Sequence, residues 1–250
     1  MGIALFTTSC RNVYYIPNTP NVVLPEKKGD AEITVGVSEG IDLQASYSPV
    51  NNIAIMYNAN YYELENGSNA TEIGRLSEFG LGAYLTSKSS SLRLSVFSGF
   101  GKHTYDGRYQ TKGDFSDLEA DKSFFQVNLG SKGNWFEYAL FYRLSKLHYT
   151  KVQYGVDGEV SVGDREYLDY LAIIRDIEYS TTGIMIGFGG EQFKFQFNAS
   201  VKNRTTDMPS FDGTELFPYR IGTVLSYNFN TGKLLKQGKS DLPKQNIWGN

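Results

Sequence analysis

Residues Gln192 to Lys202 read QFKFQFNASVK. Phe193, Phe195, Phe197, Ala199 and Val201 alternate with Gln192, Lys194, Gln196, Asn198, Ser200 and Lys202. A strand turns successive side chains to opposite faces, so this stretch has one phenylalanine-rich face and one polar, cationic face. No helical period of 3.6 residues fits it. The fold class follows from which solvent each face meets: a greasy interior with water outside, or a polar interior with lipid outside.

The same two-residue period recurs along the chain. Ala31, Ile33, Val35 and Val37 alternate with Glu32, Thr34, Gly36 and Ser38, and Ile41 to Tyr47 repeats the pattern after a turn at Glu39-Gly40. Further runs are expected at 53–61, 79–85, 92–100, 125–129, 136–144, 184–188 and 219–229, which makes about ten strands. Polar stretches at 63–75 and 105–122 are expected to be loops, as is 203–216. Within the excursion from Val152 to Tyr179, Tyr167, Leu171 and Ile174 share one helical face. They predict a short helix over 164–176, with Asp164 as its N-cap. Connections alternate short and long, and an up-and-down barrel gathers alternate connections at opposite ends.

Composition narrows the class. The chain has 250 residues, 24 Lys+Arg against 27 Asp+Glu, 18 Tyr and 16 Phe, and no apolar run long enough for a membrane helix. The near balance of charge argues against nucleic acid as a partner. With the apolar face inside, the exterior would be Gly, Ser, Asn and Gln, poor in the mixed charges that keep soluble domains apart. With lipid outside, Phe, Leu, Ile and Val meet acyl chains. Tyr47, Tyr57, Tyr61, Tyr138, Tyr142, Tyr219 and Tyr227 then form an aromatic girdle. The inward set comprises Glu32, Asp42, Arg93, Glu137, Arg143, Lys194 and Arg220, of both signs, and is expected to pair in the lumen. The expectation is an all-β, antiparallel, up-and-down transmembrane barrel over 31–230, with the short helix in one external loop.

Flanking segments complete the plan. Cys10 is the single cysteine, so no internal disulfide is available. Met1 to Ser9 (MGIALFTTS) is short and apolar, and resembles the end of a bacterial lipoprotein signal, which implies lipidation at Cys10. Thr7 stands where such signals usually carry Leu. Residues 11–30, with three prolines, read as an extended periplasmic segment, and 231–250 as a flexible basic periplasmic tail.

The alternation, the one-sided long loops and the Cys10 start resemble the small outer-membrane β-barrel proteins of Gram-negative bacteria. The segment YYIPNTPNVVLPEKKGDAEITVGVS (Tyr14 to Ser38) is similar to N-termini of barrel lipoproteins from Bacteroidota. The resemblance implies an outer-membrane location with both termini periplasmic. It does not imply a reaction.

Sites for chemistry are sparse. The two histidines, His103 and His148, fall near strand ends without an adjacent Asp or Ser, so a rim acid–base pair is weaker than a reading as interfacial polar residues. Asp114, Asp117, Glu119 and Asp121 lack the spacing and glycine of a calcium loop. No catalytic residue, metal or cofactor is expected. The leading expectation is a non-enzymatic surface-loop or accessory protein of an envelope complex. Its partners are outer-membrane lipid and envelope proteins met through the external loops or the periplasmic tail. A narrow channel and a soluble lipid-binding barrel are the alternatives.

Overall fold

A computed structural model describes residues 15, 17–38, 40–66, 70–87, 91–109, 114–155, 162–206 and 219–231. Cys10 and the tail from 232 onward lie outside the described residues. Ten strands run in chain order: β1 (Asp30–Val37), β2 (Ile41–Val50), β3 (Ile53–Asn66), β4 (Ala70–Thr86), β5 (Leu92–Tyr109), β6 (Asp114–Lys132), β7 (Phe136–Gly155), β8 (Asp176–Gly189), β9 (Phe193–Arg204) and β10 (Tyr219–Asn230). Helix α1 (Val162–Ile174) lies between β7 and β8. Each strand pairs antiparallel with its sequence neighbour, and β1 pairs with β10 from Asp30↔Asn230 to Val37↔Thr223. The sheet is a closed barrel and has no free edge.

The faces divide as the alternation requires. Ile33, Val35, Leu43, Phe79, Leu81, Phe100, Phe125, Leu140, Phe195, Phe197 and Leu225 point outward and are exposed. Asp42, Gln44, Asn58, Glu78, Gln126, Asn128, Arg143, Lys194 and Ser226 point inward and are buried. A barrel with its hydrocarbon outside and its amides and ions inside is built for lipid, not water, and the soluble lipid-binding alternative is overturned. Of the tyrosine girdle, Tyr61 and Tyr219 sit at one margin of the apolar belt, and Tyr47, Tyr138 and Tyr227 near the other. Tyr57 and Tyr142 lie within the belt, Tyr57 opposite Phe79 and Tyr142 opposite Val127.

The barrel has two unlike ends. At the turn end, β2–β3, β4–β5, β6–β7 and β8–β9 join. At the other end β3 to β8 continue past the belt, and β7 reaches 20 residues. At ~3.3 Å per residue and ~45° tilt, that strand climbs roughly 47 Å against an apolar band of ~25 Å. The stretches 63–75 and 105–122, expected as loops, are therefore mostly strand, paired from Asn66↔Ala70 and Tyr109↔Asp114. Their charges hid them, because outside the membrane a strand needs no apolar outward face. β8 likewise starts at Asp176, and the helix spans 162–174, two residues earlier than expected. Asp164 is its third residue. Arg175 ends the helix in the left-handed region, at φ 59°, donating its N–H to the Leu171 carbonyl at 3.0 Å.

Candidate functional site

The lumen is occupied by the chain's own N-terminal segment. Asn18, Thr19, Asn21, Val22, Val23 and Leu24 are buried between the walls. Its polar contacts descend in order from the tall end to the turn end. The Tyr15 ring packs edge-on against His103 at 5.0 Å and stacks on Tyr179 at 5.6 Å. Asn18 donates to Glu78 at 3.0 Å and Thr19 to Asp42 at 2.9 Å. Gln44 and Gln126 donate to the carbonyls of Thr19 and Asn21, at 2.6 and 2.8 Å. Ser95 and Arg93 donate to the carbonyls of Val23 and Leu24, at 2.6 and 2.7 Å. The segment leaves past Glu26, which pairs with Arg93 at 3.2 Å, and enters β1 through Gly29 at φ 87°.

This corrects the periplasmic placement of 11–30: within it, residues 17–25 run inside the barrel. The cause is physical. Three prolines keep the segment out of any sheet, yet its buried carbonyls and amides still need partners. The polar lumen wall supplies them, and a small barrel fills its interior with side chains and chain.

The seven lumen charges point inward, but they do not form one network. Arg220 meets Asp42 at 3.4 Å and Lys194 meets Glu137 at 2.8 Å, the two pairs drawn from within the set. Gln196 links Glu137 to Glu32, donating at 2.7 and 3.1 Å. The other partners are residues that the sequence reading passed over. Glu78 takes Arg143 at 2.7 Å and Lys122 at 2.5 Å, Lys132 takes Glu32 at 2.6 Å, and Glu26 takes Arg93. Lys122 lay in a stretch read as loop, and Glu78 fell between the loop stretch 63–75 and the strand run 79–85, although it keeps the inward parity of Gly80 and Gly82. Arg143 also stands over the Phe124 ring at 4.0 Å. That ring fits because Gly80 and Gly99 face it: a Cβ on either would come within 2.9 or 2.6 Å of it.

Above the belt, the tall end is filled by Tyr15, Tyr62, Tyr105, Leu118, Leu147, Tyr149, Ile177 and Tyr179. Tyr167, Leu168 and Leu171 of α1 close over them. His103 is buried against this cluster. His148 points outward and holds Asp176 at 2.7 Å. The two histidines lie on opposite faces of the wall and do not form a rim pair. Asp117 and Glu119 sit on β6, joined to Lys151 at 2.6 and 3.6 Å, and no group of three or more metal-ligating side chains occurs among the described residues. At the turn end a cavity of about 390 Å³ opens beside Glu26, Glu32, Arg93, Lys132, Lys194 and Asn228.

No protein-family model matches the sequence, and no curated protein matches it. Among solved structures, the N-terminal β-barrel domain of Pseudomonas aeruginosa OprF is similar at 10% identity and a TM-score of 0.31, over 82% of this chain and 100% of that one. The NanC porin is similar at 8% identity and a TM-score of 0.31, over 80% of this chain and 99% of that one. Likenesses this remote transfer no role.

Proposed function

We propose that this chain is a non-conducting, non-enzymatic outer-membrane barrel, an interaction or accessory protein of the cell envelope that presents its tall end to the outside. The observation that supports this reading is the lumen filled from Asn18 to Leu24, with the tyrosine cluster and α1 across one mouth. A lumen occupied by chain and side chains is the arrangement expected of a small barrel that does not conduct, and long extensions on one side are how such barrels display surface. Outer-membrane lipid is the obligatory partner, and a protein partner meets the tall end.

The test is planar-bilayer recording of the purified full-length protein beside affinity capture from native membranes. Silence in the bilayer and recovery of a stoichiometric envelope partner are expected. Steady single-channel steps from the unmodified protein would overturn the reading. They would favour the second one, a narrow channel, for which the polar lumen wall speaks.

A further inference from the structure

Both ends of the barrel proper lie at the turn end: β1 begins there at Asp30, and β10 finishes there at Asn230, its register partner. With an even number of strands, both termini would ordinarily leave on that side. The N-terminal segment makes one more pass. Its contacts climb from Arg93 through Ser95, Gln126, Asp42 and Glu78 to His103 and Tyr179, and the last two belong to parts of β5 and β8 beyond the apolar belt. Tyr15, the first of the described residues, therefore stands at the tall end.

We propose that the two termini lie on opposite sides of the membrane, with the chain before Tyr15 delivered to the external face and the chain after Thr231 left in the periplasm. The proposal rests on the outer-membrane reading above, and it replaces the expectation that both termini are periplasmic. Cys10 stands five residues before Tyr15, a reach of at most ~18 Å of extended chain. That is too short to return across a bilayer whose hydrocarbon alone is ~30 Å thick. A lipid on Cys10 would accordingly enter the outer leaflet from the external side rather than the periplasmic leaflet. The N-terminal segment then acts as a lumen strut carrying a surface-facing end.

Three single-cysteine reporters in a Cys10→Ser full-length background test this in cells: Asn12→Cys before the strut, Ser68→Cys in the β3–β4 connection and Asn246→Cys in the tail. Each is treated with a membrane-impermeant maleimide before and after outer-membrane permeabilisation. Asn12→Cys and Ser68→Cys are expected to label in intact cells, and Asn246→Cys only after permeabilisation. If Ser68→Cys labels in intact cells while Asn12→Cys waits for permeabilisation with Asn246→Cys, the threaded topology is wrong and the barrel reading stands. Absence of the chain from the outer-membrane fraction removes the barrel reading and this proposal together. Heat-modified gel mobility confirms that each variant is folded. A Thr19→Cys/Asp42→Cys pair supplies a second readout, since threading places Thr19 Oγ1 2.9 Å from Asp42 Oδ2. A short bifunctional thiol reagent is expected to join the two cysteines in membranes, and a folded variant that is never joined counts against threading.

Discussion

Glu78 accepts from Lys122, Arg143, Asn18 and Asn58 at once, so one carboxylate ties three walls of the barrel to the strut. Its desolvation is offset by these contacts, and removing its charge strands two buried cations. Glu78→Gln is expected to lower stability by ~3–5 kcal/mol, read as a shift in the urea midpoint of the detergent-solubilised protein. Asn18→Ala removes one hydrogen bond to a charged acceptor, and ~1.5–3 kcal/mol is expected. Outside the membrane, Asp176 is held below the ordinary aspartate range, first by its hydrogen bond with His148 and next by that with Lys146. Its folded pKa is lower than its unfolded one. The contact thus stabilises fully above about pH 4 and is lost as pH falls through the folded value. A titration followed by NMR should find Asp176 ionising below free aspartate, and His148→Ala should raise that value.

At the scale of elements, each strand has one outward stripe that changes character at the edge of the membrane. On β7, Phe136, Tyr138, Leu140, Tyr142 and Leu144 give way to Lys146 and His148, and Lys146 pairs with Asp176 at 2.9 Å. Leu140 lies midway along the apolar part. Leu140→Arg is expected to cost ~2–4 kcal/mol in folding into lipid vesicles, and much less in detergent, where the arginine reaches water. Helix α1 is held by the face that carries Tyr167, Leu168 and Leu171, while Ile173 is 79% exposed. Leu171→Ala should cost ~2–5 kcal/mol of local stability. The measurement is faster proteolysis between β7 and β8, with the heat-modified mobility of the barrel unchanged.

For the whole molecule, closure and filling are separate achievements. Pairing of β1 with β10 removes the sheet edge, whereas the strut and the tyrosine cluster remove the hole. Replacing residues 17–25 by a Gly/Ser sequence of equal length should leave the barrel in the membrane and make it leak ions in planar bilayers. The lumen then keeps its charged walls and loses the groups that hold the segment in place.

The two-residue alternation was enough to read the strands inside the belt and which face meets lipid, because there every second side chain must be apolar whatever its neighbours are. Inward placement of Glu32, Asp42, Arg93, Glu137, Arg143, Lys194 and Arg220 was legible from the same parity. Their partners were not. Glu78 lies just before the run whose apolar residues mark it as strand, Lys122 lies in a stretch that loses the apolar signal, and ion pairs between strands depend on register, which pattern alone does not set. The strut was the least legible of all. Its three prolines and lack of period look the same in solvent as in a lumen, and only the assembled wall, with its inward amides and carboxylates waiting for partners, decides that this segment runs inside.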